Sequence, residues 1–350
     1  MKAFQLIAHG SPGTFALHDV PDPKPQPGEV VVAVRACGLN HLDLWLEEAG
    51  LPIQPTLPRT PGGEISGVIT ELCGDAPGIS SGPGDGWRVG DRVAIQSNFF
   101  CGECEFCARG EESQCLKSEL LGVQHDGGFA EKVVVPVSSL VPLPDDVSFE
   151  TSAALTLAGS TALHMLTVRA SVRPGDWVLV IGGASGVGCA AIQIAKELGA
   201  RVISTGSTEA KRALAQQLGA EFVVDSTNAR WAGEVRRMTN KRGVDVVVEH
   251  VGAGVLEQCF DCLARNGTIV TCGATAGREV KLNLWPLFVK QQRLIGSYGR
   301  NRADMLTTLE WAAAGKLKPV IHSVVPLRHA TEAFAALRAR SVLGNIVITP

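Results

Sequence analysis

Apolar positions in the first third of the chain come in short β-branched runs separated by turn residues. Val30 to Ala36, Glu64 to Leu72, Arg92 to Ile95 and Gly128 to Pro136 read as strands. Between them, Ser80 to Gly86 is a run of serine, glycine, proline and aspartate that predicts an exposed loop. From Trp177 the rhythm changes. Apolar runs at Val178 to Ile181, Arg201 to Thr205, Phe222 to Asp225, Val244 to Glu249, Thr268 to Cys272 and Leu294 to Tyr298 alternate, over the first four gaps, with helix-period segments such as Gly188 to Leu198, Ala210 to Leu218 and Gly254 to Leu263. Six strands with interposed helices predict an α/β fold with a parallel, doubly wound sheet. After Tyr298 the pattern gives a helix, then strands near Val320 to Val325 and Gly344 to Ile348 with a helix between them. These last elements are expected to rejoin the first, β-rich domain, which makes the nucleotide-type domain an insertion.

Composition narrows the classes. The chain has 350 residues, 45% of them hydrophobic, enough for two cored domains. Its 32 basic and 35 acidic residues are mixed along the sequence, so no basic field exists for nucleic acid or an anionic membrane. Met1 to Val20 carries no long apolar core behind a basic start, which predicts no cleavable leader. Trp177 to Ala195 lacks charge but is broken by Gly182, Gly183, Gly186 and Gly188, which suits a strand, loop and helix and not a membrane span. Six of the ten cysteines are scattered through apolar segments, where cysteine behaves as a small core residue. A reducing, cytoplasmic setting is expected.

Two motifs carry chemistry. Val178-Leu179-Val180-Ile181 runs into Gly182-Gly183-Ala184-Ser185-Gly186-Val187-Gly188 and a helix. A strand, a glycine turn and a helix N-terminus let backbone N–H groups approach a pyrophosphate, and Gly183, Ser185, Gly186, Val187 and Gly188 are the candidate contacts. One strand later, Ser204-Thr205-Gly206-Ser207-Thr208 lacks the carboxylate that holds a ribose 2′-hydroxyl, while Lys211 and Arg212 follow closely. Ser207, Lys211 and Arg212 therefore point to a 2′-phosphate and to NADPH over NADH. Lys211 and Arg212 also fit a solvated helix face. The second motif is Cys101-x2-Cys104-x2-Cys107-x7-Cys115. Four thiolates in a short loop can enclose one structural Zn²⁺ and leave no open position for substrate. The rival is an iron–sulfur cluster, but no proline follows Cys115 and no second cysteine set exists.

In their order along the chain, Ala36-Cys37-Gly38-Leu39-Asn40-His41-Leu42-Asp43, Pro61-Gly62-Gly63-Glu64-Ile65-Ser66-Gly67-Val68, Gly90-Asp91-Arg92-Val93, the cysteine lobe, Ala158-Gly159-Ser160-Thr161-Ala162 and the glycine loop resemble the medium-chain dehydrogenase/reductase superfamily over essentially the whole chain. The resemblance implies a Rossmann domain (156–298) inserted in a β-rich GroES-like catalytic domain (1–155, with a zinc lobe at 96–120), to which 299–350 return. It also implies a homodimer or homotetramer paired through the sheet edge of the nucleotide domain. Zinc alcohol dehydrogenases of this superfamily have catalytic ligands where Asn40, Gly63 and Leu157 stand here, and none of these three replaces them well. Asn40-x-x-Asp43 is similar to the zinc-free quinone and enoyl reductases.

That branch implies an NADPH-dependent reductase of an activated C=C bond or a quinone, acting on a small carbonyl-conjugated substrate. Asn40, His41 and Thr161 are its candidate hydrogen-bond donors. Asn40 also fits a turn-stabilising role, and Asp43 a helix-start acid. Gly273, Ala274 and Thr275, with Tyr298 and Gly299, are expected at the carboxamide end of the cofactor. His250 fits a structural or a functional role equally. Two other readings stand beside this one: an alcohol or aldehyde dehydrogenase whose zinc has unfamiliar ligands, and an NADPH-binding protein without chemistry.

Overall fold

The computed structural model describes residues 1–73 and 86–350. The loop expected at Ser80 to Gly86 lies outside the described residues except for Gly86. The chain divides into two compact units, the first made of 1–157, 300–314 and 321–350, the second of 158–299 and 315–320.

The first unit is built on a seven-stranded sheet. Its order is Ile321–Pro326, Asn345–Thr349, Glu29–Leu39, Glu64–Leu72, Arg92–Ile95, Leu140–Pro142, with Lys132–Pro136 also paired to Glu29–Leu39. The long strand Glu29–Leu39 organises the unit. Lys132–Pro136 pairs with its first half, Asn345–Thr349 with its last residues and Glu64–Leu72 with nearly all of it. Two register shifts, at Val31/Val32 and Val34/Ala36, bend it. Strands this near can approach only where side chains allow. A Cβ on Gly67 would stand 2.2 Å from the Ala33 carbonyl oxygen. Val30, Val32, Val34, Ile65, Ile69, Val93 and Phe129 form the core with Phe334 and Leu337 of the helix Ala330–Arg338. Met305 and Leu309 of the helix Arg302–Ala313 cover Ala94 and Val141.

Gly128 to Glu131 was expected to be strand, but the strand begins only at Lys132. The earlier residues meet the N-terminal strand Lys2–Ala8 through a single bridge, Ala3 to Ala130. The hairpin of Lys2–Ala8 with Thr14–Asp19 has no counterpart in the sequence reading.

The second unit is a six-stranded parallel sheet in the order Phe222–Asp225, Arg201–Gly206, Trp177–Val180, Val244–Glu249, Leu263–Thr271, Arg293–Gly296. The chain reverses direction of winding between Trp177–Val180 and Val244–Glu249. In a doubly wound sheet that switch leaves a crevice at the carboxyl ends of the strands, where dinucleotides bind. Strand six ends at Gly296, earlier than the expected Tyr298, because its neighbour Leu263–Thr271 offers pairing only as far as Thr271. Val178, Leu179 and Val180 are completely buried. Strands covered on both faces read as unbroken apolar runs, which is why the central ones stood out in the sequence.

Candidate active site

The four lobe cysteines converge. Their Sγ atoms all lie within 4.8 Å of one another. Cys104 to Cys107 is 3.5 Å, Cys115 to Cys101 is 3.5 Å and Cys101 to Cys107 is 3.9 Å. Sulfurs at about 2.3 Å from a tetrahedral zinc stand about 3.8 Å apart, so the residues present fit one zinc ion. A multi-iron cluster would hold its sulfurs farther apart. Backbone N–H groups of Cys101, Cys104 and Lys117 point at the sulfurs of Cys115, Cys101 and Cys115. N–H groups of Cys107 and Leu116 pull the Cys104 thiol down to about 6, whereas burial pushes Cys107 up to about 12.

The positions corresponding to the lost catalytic ligands form a different object. Asn40 ends the strand Glu29–Leu39 and precedes the helix His41–Glu47. Its Nδ2 donates to Glu64 Oε2 at 2.8 Å and more weakly to the Gly38 carbonyl at 3.4 Å. The other oxygen of Glu64 accepts from the Leu157 N–H at 2.5 Å. Glu64 is 1% exposed. A Cβ on Gly38 would meet Ala153 O at 2.2 Å and Glu64 Oε2 at 2.5 Å, so only glycine lets the carboxylate lie there. Two of the three ligand positions are thus tied together by one buried carboxylate, and both Asn40 N–H bonds are spoken for. Among the described residues, the four cysteines are the one group of three or more Cys, His, Asp or Glu side chains placed to hold a metal.

Asp43 knots the same loops from below. Its Oδ2 accepts from the Asn40 N–H at 2.8 Å and its Oδ1 from the Gly62 N–H at 3.1 Å. Burial, assisted by the charge of Glu64, raises its pKa from 3.8 to about 7 against the pull of those N–H donors. A raised carboxyl pKa stabilises the fold fully below the unfolded value near 3.8, and that contribution is lost as pH rises through 7. Tm should therefore fall as pH rises from about 4 to about 7 in the wild type and change less in Asp43→Asn, followed by scanning calorimetry. Parallel profiles for the two proteins would show that Asp43 is ionised throughout.

His41 opens the helix and is half-buried. Thr161 belongs to the second unit, in the helix Ala158–His164, and is 7% exposed.

In the second unit the glycine loop is set by contacts that only glycine permits. A Cβ on Gly183 would stand 2.0 Å from Ser204 Oγ, and one on Gly188 2.3 Å from Gly182 O. Ser185 caps the helix Gly186–Glu197, accepting from Gly188 N at 3.0 Å and donating to Gly182 O at 2.9 Å. Its Oγ also lies 3.3 Å from His250 Nε2. Burial lowers the His250 pKa, in keeping with a neutral ring. Gly186 and Val187 form the first turn of that helix.

At the end of Arg201–Gly206, Ser207 is exposed and Thr208 caps the next helix by accepting from Lys211 N at 3.3 Å. Arg212 donates to Gly206 O at 3.0 Å and lies 3.3 Å from Asp225. Lys211 and Arg212 are thus at the strand end, with Arg212 partly engaged by the acid of the third strand. Gly273 and Ala274 follow the fifth strand, with Gly273 packed on the His250 backbone. Tyr298 is 59% exposed just past the sixth strand.

The burial of several polar residues is not visible in the sequence. Glu249 is fully buried and accepts from Val251 N, Gly252 N and Thr271 Oγ1. Gln96, Ser97, Asn98 and Arg300 are each 3% exposed or less. Only long-range contacts reveal them.

Comparison with known proteins covers nearly the whole chain. The family described as "Alcohol dehydrogenase GroES-like domain" matches residues 26–145, and "Zinc-binding dehydrogenase" matches 186–314. An alcohol dehydrogenase of Geobacillus stearothermophilus is 33% identical over 335 residues, 94% of each chain. An NAD-dependent alcohol dehydrogenase of Sulfurisphaera tokodaii is 30% identical with both chains fully covered. A solved NAD-dependent alcohol dehydrogenase superposes with a TM-score of 0.93 at 38% identity, covering 100% of both chains.

Proposed function

We propose that this chain, which belongs to the medium-chain family of zinc-binding, GroES-like alcohol dehydrogenases, reduces a conjugated carbonyl compound (an enone, an enoyl thioester or a quinone) without zinc at the reacting centre. It is an oxidoreductase. The observation that carries the finer reading is Glu64. Its carboxylate is consumed by Asn40 Nδ2 and Leu157 N, at two positions where the family's catalytic zinc ligands stand.

When bound, NADPH would supply a hydride to the β-carbon of the substrate, whose displaced electron pair would move onto the carbonyl oxygen. The chain's own residues then have three tasks. Gly183, Ser185, Gly186, Val187 and Gly188 hold the pyrophosphate on the helix N-terminus. Ser207, Lys211 and Arg212 take the 2′-phosphate, and Gly273, Ala274 and Tyr298 bind the carboxamide end. Asn40, His41 and Thr161 orient the substrate oxygen. Asn40 can turn to it by giving up its long bond to Gly38, and His41 or water protonates the α-carbon. In this reading residues 1–155 and 299–350 bind substrate, and 156–298 bind cofactor.

A second reading, alcohol or aldehyde oxidoreduction with a zinc held by unfamiliar ligands, is favoured by the names of the three relatives given above, each an alcohol dehydrogenase. Zinc content separates the two. One zinc per chain, with oxidation of NADPH faster than NADH on a quinone, an enone or crotonyl-CoA, is the expected result. Two zincs with turnover of alcohols or aldehydes alone would establish the second reading.

We further assign a homodimer or homotetramer and a cytoplasmic setting. The edge strand Arg293–Gly296 and the helix Leu284–Val289 expose Leu284, Trp285, Phe288 and Leu294, an apolar face suited to pairing. No described helix is long and apolar enough to cross a membrane, and none of the ten cysteines is in a disulfide.

A further inference from the structure

The strand order of the parallel sheet separates the two halves of a dinucleotide. Arg201–Gly206 lies on one side of Trp177–Val180, and Val244–Glu249 lies on the other. The adenosine ribose belongs at the end of Arg201–Gly206, and the pyrophosphate belongs at the glycine loop. The second half of the cofactor then runs over the carboxyl ends of Val244–Glu249 and Leu263–Thr271. His250 is the first residue past Val244–Glu249. Gly186 and Val187, then His250 and Val251, then Gly273 and Ala274 are all partly exposed. A strip open to solvent therefore follows these strand ends, and His250 is in its middle.

The imidazole rests against the start of the glycine loop. A Cβ on Gly182, whose φ is +62°, would stand 3.3 Å from His250 Cε1 and 3.5 Å from Nε2. Nε2 itself is 3.3 Å from Ser185 Oγ. That hydroxyl already bonds Gly182 O at 2.9 Å and Gly188 N at 3.0 Å, so its longer contact with Nε2 is the one a ligand hydroxyl can take over. On the other side, a Cβ on Gly273 would stand 2.8 Å from the His250 carbonyl oxygen. Burial holds the ring towards its neutral form, against the charge of Glu249 and a hydrogen bond with the Ile181 backbone. The Glu249 carboxylate is taken up by Val251 N, Gly252 N and Thr271 Oγ1. Residues 182–188, 251–254 and 272–275 contain no Asp, Glu, Lys or Arg. A neutral imidazole nitrogen donates or accepts according to its tautomer, as a hydroxyl does, whereas an ionised phosphate only accepts. The ring is matched to a sugar hydroxyl.

We propose that His250 Nε2 binds a hydroxyl of the ribose on the nicotinamide side of the cofactor and holds that half of the molecule over the strand ends. The inference rests on the cofactor assignment above, and it holds for reduction of a conjugated carbonyl and for alcohol oxidation alike. This ribose carries the nicotinamide ring, so anchoring it limits where the ring can lie relative to Gly273 and Ala274. The glycine loop does not need the imidazole for its own shape. The bonds of Ser185 to Gly182 and Gly188 are complete without it.

The experiment measures NADPH and NADH affinity by fluorescence, and ADP-ribose and ADP affinity by calorimetry, in wild type, His250→Ala and His250→Val. ADP-ribose carries the second ribose and ADP does not, so the change in their affinity ratio reads the contact with that sugar. Loss of one hydrogen bond in His250→Ala should weaken the reduced cofactors and ADP-ribose about 10-fold, and leave ADP within about twofold. A histidine that only braced the glycine loop would weaken ADP as much as ADP-ribose, because both place phosphates there. That result overturns the proposal, and so does a His250→Ala protein whose affinities all match wild type. Should that variant not fold, His250→Val decides by the same ratio. A wild type that binds neither NADPH nor NADH overturns the cofactor assignment itself, and this inference with it.

Discussion

Replacing Cys104 with serine should remove the bound zinc and lower Tm by about 10 °C, the equivalent of about 3 kcal/mol in a domain of this size. The lobe has little else to hold it. Between Cys101 and Lys117 the regular structure is two three-residue turns, Cys107–Arg109 and Glu112–Gln114. Leu116 is 69% exposed, and Cys115 is the lobe's one buried apolar residue. Its ion pairs, Lys117 with Glu103 and Arg109 with Glu105 and Glu111, are largely exposed, and such pairs contribute about 0–1 kcal/mol each. Without a cation, sulfurs 3.5–3.9 Å apart cannot all ionise. The lobe is also a foundation for its neighbours. Ser113 N donates to Asn301 Oδ1, and Arg302 N to Glu112, so the lobe anchors the start of the helix Arg302–Ala313, directly after Arg300. Loss of zinc should thus open 101–117 to proteases. Zinc analysis and limited proteolysis check it, and a Cys104→Ser protein that keeps one zinc and its Tm refutes the assignment.

What could be read from the sequence divides along a physical line. The centre of the parallel sheet was legible because strands buried on both faces are continuous apolar runs, as at Val178 to Val180 and Val246 to Val248. The glycine loop and the cysteine lobe were legible because their spacing is local, and local spacing is what a chain displays. Gly183 and Gly188 prove necessary for the reason such loops need glycine: a Cβ would collide with the neighbouring strand or the loop itself. The site around Asn40 was legible only by residue type. That Asn40 carries an amide is in the sequence. That its N–H bonds end on Glu64 and Gly38 depends on a strand, a helix and a glycine meeting in space. Arg300 lies 203 residues from Ser97, and nothing in its local pattern distinguishes it from the surface charges around it. The reaction class has the same limit. The family and its oxidoreductase chemistry follow from motifs in order, whereas the choice of acceptor depends on which buried groups face one another.

The ion pair of Arg338 with Glu47 shows how much stability can depend on such an unseen contact. Arg338→Met should cost about 3 kcal/mol, measured by urea unfolding. Glu47 ends the helix His41–Glu47 and is 1% exposed, whereas Arg338, at the end of Ala330–Arg338, retains 28% side-chain exposure. Arg338 Nη2 donates to Glu47 Oε1 at 2.6 Å, and Gly13 N donates to the same oxygen at 2.8 Å. Removing the arginine leaves a buried carboxylate with one backbone donor, and that desolvated charge is the source of the loss. The double variant Glu47→Leu with Arg338→Met removes both charges and should recover most of it, since an apolar pair of similar volume can replace a buried ion pair. The same helix begins at His41, immediately after Asn40, so the single variant should also raise KM for the substrate while the double variant restores it. If Arg338→Met costs less than about 1 kcal/mol, water reaches Glu47 and the pair is a surface contact in energetic terms.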